Sequence, residues 1–105
     1  MSMRCAACAL ALLVLLVLPF AAGAETHTVV IEGMQMQPAT LTVKRGDRVT
    51  WRNKDIVPHT VTAPGKFDSK GISGGASWSW TAGAKGRYDY VCTYHPGMKA
   101  TLTVE

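Results

Sequence analysis

Seven short runs of alternating polarity, each closed by a cluster of turn-forming residues, constrain this chain more than any other feature. They are Thr28–Glu32, Thr40–Lys44, Arg48–Asn53, His59–Ala63, Ser77–Thr81, Arg87–Cys92 and Ala100–Val104. Successive side chains of a strand point to opposite faces, so a period of two marks a strand with one buried side. Between the runs stand Gln37-Pro38, Arg45-Gly46-Asp47, Ala63-Pro64-Gly65, Gly74-Gly75 and the stretch from Gly83 to Gly86, residue types that supply turn geometry. The pattern predicts an all-β domain, a two-sheet sandwich or barrel. It also selects an inner face: Leu41 and Val43, Val49 and Trp51, Trp78 and Trp80, Tyr88 with Tyr90 and Cys92, then Leu102 and Val104. Cys92 falls inward at the end of a strand, where the chain enters a loop.

Residues 1–24 read as a targeting segment. Met1 to Arg4 carry one positive charge, Cys5 to Leu18 form an apolar run, and Pro19 breaks it. Ala22-Gly23-Ala24 then gives the small-x-small pattern of a signal-peptidase site. An uncleaved anchor is the rival, since the apolar stretch to Ala22 is borderline for a bilayer span. The early proline and the Ala-x-Ala site favour cleavage after Ala24, and with it export to the periplasm without stable membrane association. Neither Cys5 nor Cys8 follows the apolar core, which argues against a lipid anchor. No twin-Arg pair is present, so the general secretion route is favoured.

The leader takes Cys5-x-x-Cys8 with it and leaves one cysteine, Cys92, in residues 25–105. One cysteine forms no internal disulfide, and an exposed thiol outside the cell would oxidise. Cys92 is therefore buried and inert, paired with another chain, or bound to metal. An 81-residue domain buries only about 60% of its unfolded surface and often needs a disulfide or a metal. Ten Lys and Arg remain against seven acids, a formal charge of +3. They are scattered rather than run together, which excludes the basic stripe of a nucleic-acid binder. This charge implies no more than a mild preference for acidic partners.

The loop Cys92-Thr93-Tyr94-His95-Pro96-Gly97-Met98 is the strongest chemical signal. A thiol, an imidazole and a thioether follow one another at spacings of three, and His59 stands just after Pro58 on an earlier run. Soft thiolate and thioether ligands select copper, and a trigonal His, His and Cys set with a weak axial Met is an electron-transfer copper arrangement. Zinc would take His59, Cys92 and His95 but leave Met98, and structural zinc wants four ligands. A c-type haem would need Cys-x-x-Cys-His beyond the leader. Met34 and Met36 suggest a Met-x-Met copper(I) site, although Met is more often a core gap-filler. His27 reads as a solvated histidine.

The Cys92 to Met98 loop resembles the copper loop of the cupredoxins, and its short spacing is most similar to amicyanins and related plastocyanin-like proteins. The likeness extends over Met36 to Val43, Gly46 to Asn53, Pro58-His59-Thr60-Val61, Phe67-Asp68-Ser69 and Gly86 to Cys92. It implies a Greek-key antiparallel β-sandwich of about seven or eight strands, with Tyr88 as its tyrosine corner and one type 1 copper near one end. It further implies Cys92 as thiolate ligand, His59 and His95 in the trigonal plane, Met98 as axial ligand, and a backbone amide, that of Thr60, on the sulfur. Electrons would pass at the edge of His95, through a patch with Pro96 and Gly97, where redox donor and acceptor proteins dock; Lys70 is expected to lie away from it. Many relatives place Asn after the first histidine, where its side chain ties the two ligand loops together; this chain has Thr60.

The resemblance points to a monomeric one-electron carrier between redox proteins. A periplasmic copper carrier or storage protein would share these ligands but release the metal readily. A multicopper enzyme would need His-x-His or His-Cys-His elements, which the sequence lacks, so no catalytic residue is expected.

Overall fold

Alternation along the chain becomes nine strands among the described residues, 23–105 of a computed structural model. They are β1 (Thr26–Glu32), β2 (Gln35–Gln37), β3 (Thr40–Val43), β4 (Arg48–Asn53), β5 (Thr62–Ala63), β6 (Phe67–Asp68), β7 (Ser77–Thr81), β8 (Gly86–Cys92) and β9 (His95–Val104). The leader expected at 1–24 lies outside the described residues but for Gly23 and Ala24, and so do Cys5 and Cys8.

The strands form a four-stranded sheet in the order β2-β1-β4-β7 and a five-stranded sheet in the order β3-β9-β8-β5-β6. The sandwich expected from the period-two runs is present, and its sheets are mixed. β1 pairs with β4 in parallel, as does β3 with β9, and the remaining pairings are antiparallel. Alternation is blind to strand direction, which the connections decide. The chain leaves the first sheet after β2, runs β3 in the second, and returns as β4 beside β1 in the same sense.

Between the sheets, Val29, Ile31, Val49 and Trp51 of the first meet Tyr88, Tyr90, Cys92, Ala100, Leu102 and Val104 of the second. Trp51 is fully buried. Its ring meets that of Tyr90 edge-on at 5.5 Å, and its Nε1–H donates to the Tyr90 hydroxyl at 3.1 Å. A buried indole and phenol thus satisfy each other's polar atoms, and burial pushes the Tyr90 hydroxyl above its ordinary pKa. Trp78 and Trp80 share the inward face but stay half-buried, because β7 is a sheet edge with one neighbouring strand. The Tyr88 hydroxyl donates to the Ala84 carbonyl, the tyrosine corner that the resemblance implied.

The run His59–Ala63 is shorter than expected as a strand. Regular pairing begins only at Thr62, and His59 makes an isolated bridge to Ile72, with N–H···O distances of 3.1 and 2.7 Å. Pro58 has no N–H to offer a ladder. Side chains hold the segment instead. Buried Asn53 donates to the carbonyls of Val57 and Ile72, each at 2.9 Å, and accepts from the Asp55 amide at 2.9 Å. Gly74 permits the close approach of this loop: a Cβ there would lie 2.6 Å from the Asp55 carbonyl oxygen.

Candidate metal centre

Cys92 and His95 end up side by side because two residues separate them. Thr93 and Tyr94 form a tight turn between β8 and β9, so Cys92 and His95 are cross-strand partners. The next pair in the ladder is Val91 with Lys99. One step on β8 is therefore matched by four on β9, and Pro96, Gly97 and Met98 are surplus. This bulge bends the strand and turns Met98 inward, where it is buried, while Pro96 and Gly97 stay exposed. β9 therefore starts earlier than the run Ala100–Val104, with His95 on the strand rather than in a loop.

His59 reaches the same point from the β4–β5 connection. Its Nδ1 lies 3.6 Å from the Cys92 Sγ, and the His95 Nδ1 lies 3.7 Å from it. The three donor atoms all fall within 4.8 Å of one another. His59 and Cys92 are fully buried and His95 is half-buried.

The protonation pattern follows from the neighbours. Asp55 Oδ2 lies 2.8 Å from the His59 Nε2. A carboxylate only accepts, so this nitrogen carries the hydrogen, and in the neutral ring Nδ1 then presents its lone pair to the sulfur. The Asp55 carboxyl is held below its ordinary pKa, first by the Gly33 amide, then by the His59 ring and the Met34 amide. The sulfur accepts the Thr60 amide at 3.3 Å, the contact expected from the resemblance. A single S–H could point at only one of the two imidazole nitrogens that face it.

A metal ion accounts for the arrangement better. Metal–nitrogen and metal–sulfur bonds of about 2.0 and 2.3 Å, opened to about 110–120°, place nitrogen and sulfur about 3.5–3.7 Å apart. Both measured separations fall in that range. With the buried Met98 beside them, the four residues form a cluster suited to a type 1 copper site.

Two features of the site escaped the sequence. Asp55 gave no signal, because an acid four residues before a histidine is ordinary in a loop. The Thr60 amide was expected on the sulfur, but the role of its hydroxyl was not, and the side chain was legible only as a departure from the Asn of relatives. In the fold it performs the same tie: its hydroxyl accepts the Thr93 amide at 2.8 Å and meets the Thr93 hydroxyl at 3.1 Å. The Thr62 hydroxyl donates to it at 3.1 Å. The two ligand-bearing segments are thus joined beside the sulfur.

The sequence matches the family described as Cupredoxin-like domain over residues 5–104. Amicyanin-alpha of Methylorubrum extorquens is 37% identical over 90 residues, 80% of this chain and 76% of that protein. The amicyanin of Paracoccus denitrificans is 38% identical over 96 residues, 83% of this chain and 73% of that protein. Among solved structures, a reduced Cu(I) form of an amicyanin variant superposes with a TM-score of 0.71 at 34% identity, covering 82% of this chain and 86% of that one. Sequence, fold and metal-site geometry agree, and the chain belongs to the cupredoxin-like family.

Proposed function

We propose that this protein is an exported one-electron carrier holding a single type 1 copper through His59, Cys92, His95 and Met98. The observation that carries the reading is the convergence of two imidazole Nδ1 atoms on one buried sulfur, at separations that fit metal bonding. Bound copper would supply reversible one-electron chemistry between Cu(I) and Cu(II). The chain's own residues keep the donors in place before and after the electron moves. Asp55 fixes the His59 ring, Thr60 locks the Cys92 turn, and the Thr60 amide on the sulfur favours the thiolate.

The surface supports partner docking at the same end. Among the described residues the exposed large apolar side chains are Met34, Ile56, Val57 and Tyr94. Ile56 and Val57 lie between Asp55 and His59, Tyr94 lies between Cys92 and His95, and Met34 sits on the turn that binds Asp55. Exposed apolar groups gathered at one end mark an interaction surface. Release of copper to an acceptor, the second reading of the sequence, is less well served by a donor set that is buried and held in advance.

Protein recovered from the periplasm should be blue when oxidised, bleach reversibly on reduction, carry one copper per chain and have an intact mass that starts at Glu25. A colourless protein that binds copper would overturn the type 1 assignment.

Asp55 gives a sharper test of the site's architecture. Outer carboxylates that orient a ligating histidine typically contribute about 10- to 100-fold in metal affinity. Asp55→Ala should lower copper affinity by that factor in chelator competition. Asp55→Asn, which keeps an accepting oxygen, should recover most of it. Unchanged affinity in Asp55→Ala would remove the positioning role.

A further inference from the structure

Three of the five methionines in the sequence, Met34, Met36 and Met98, line one cavity of about 180 Å³ beside the candidate metal centre, with Gly97 and Lys99 at its wall. The three thioethers differ in exposure. Met34 is 41% exposed at the surface, whereas Met36 and Met98 are buried. Gap-filling in the core accounts for a buried Met36. It does not account for Met34, which is exposed and sits at φ +62° directly after Gly33 at φ +63°. That pair of positive angles suits a turn with Asn or Gly, and a long side chain rarely adopts it. An unfavourable backbone that displays an unburied thioether calls for a reason outside packing.

The turn is also connected to the metal centre. The amides of Gly33 and Met34 donate to Asp55 at 2.8 and 3.1 Å, and the same carboxylate accepts from His59 Nε2–H at 2.8 Å. One acid therefore fixes both the display of Met34 and the orientation of His59.

We propose that this cavity is an entry port for Cu(I), with Met34 capturing the ion at the surface and Met36 and Met98 passing it inward to His59, Cys92 and His95. The inference rests on the copper reading above and adds the route and oxidation state of loading. Neutral thioethers bind soft Cu(I) and discriminate against hard Ca²⁺ and Mg²⁺, which take oxygen ligands. Loading involves no redox step: the ion stays Cu(I), and the Cys92 thiol releases its proton to solvent as the sulfur binds. Lys99 disfavours a resident cation in the cavity, which suits a site of transit rather than storage.

The test is uptake of each oxidation state by apo-protein. Transfer of Cu(I) from its coloured bicinchoninate complex is followed by loss of that colour, and uptake of Cu(II) by growth of the blue band. In Met34→Leu/Met36→Leu, Cu(I) uptake should slow about tenfold or more, equivalent to about 1.4 kcal/mol in the barrier. Cu(II) uptake, final stoichiometry and blue spectrum should be unchanged. As a second readout, Ag(I) added in large excess, to offset its weak residence beside Lys99, to the diamagnetic Cu(I)-loaded wild type should shift the NMR methyl signals of Met34 and Met36. Equal Cu(I) rates in the variant and wild type, equal slowing of both ions, or unmoved methyl signals would each overturn the port. A wild type that takes up neither copper ion would instead bring down the copper reading, and the port with it.

Discussion

Cys92→Ser is expected to abolish the blue colour entirely. The band arises from charge transfer out of a thiolate bonded to Cu(II), and a serine hydroxyl has neither the soft sulfur orbital nor an accessible anion near neutral pH. Size does not confound the change. Serine is slightly smaller, Cys92 is fully buried, and the Thr60 amide that donates to sulfur at 3.3 Å can donate to a hydroxyl. The fold should survive, with far-ultraviolet circular dichroism as the control. The same variant should lose most of the stability that copper confers. A ligand bound only by the native state adds about 4 kcal/mol at a thousandfold excess over its Kd, so copper should raise the Tm of the wild type markedly and that of Cys92→Ser little. A serine variant that kept the blue band would refute the assignment of Cys92.

The proposed ligands Cys92 and His95 were legible in the sequence because their geometry is local. Cys92 and His95 flank a two-residue turn, and any antiparallel pair joined that way brings such residues together. His59 needed the whole fold to reach them; the sequence offered it as the remaining histidine of a copper donor set, just after Pro58 on an earlier run, and the resemblance of the Pro58-His59-Thr60-Val61 segment supported it. What remained hidden depends on direction and depth. The parallel pairings of β1 with β4 and β3 with β9 follow from connections that cross between sheets, which a period of two does not encode. β2 and β6, three and two residues long, are too short to alternate visibly. The half-exposure of Trp78 and Trp80 follows from the edge position of β7, which is a property of sheet order. Asp55 can position His59 only because the fold brings Gly33 and Met34 to the same carboxylate from another segment.

The path of the electron gives the second large effect. Of the two histidines, His59 is fully buried with its far nitrogen committed to Asp55, whereas His95 is half-exposed beside the exposed Pro96 and Gly97. Exchange between two copies of the protein should therefore proceed with these patches face to face. Gly97→Glu places a carboxylate there without touching a ligand. Gly97 does not occupy the positive-φ region, and an added Cβ would meet nothing within 4 Å, so the blue spectrum should be preserved. Each encounter would then desolvate two like charges at the contact. The self-exchange rate, measured by NMR line broadening in mixed oxidation states, should fall about tenfold or more, equivalent to about 1.4 kcal/mol in the barrier. The control must change charge by a similar amount elsewhere. Lys70, expected from the sequence to lie away from the ligand loop, is unsuitable: its neighbour Gly71 packs so closely that an added Cβ would come within 2.9 Å of the Tyr94 hydroxyl. Lys85 serves instead. It precedes β8 at the end opposite Cys92, roughly 20 Å away at the rise of a seven-residue strand. Lys85→Glu lowers the net positive charge by two and eases long-range repulsion between copies, so its rate should hold or rise slightly. Slowing in Lys85→Glu with no change in Gly97→Glu would place the exit away from His95.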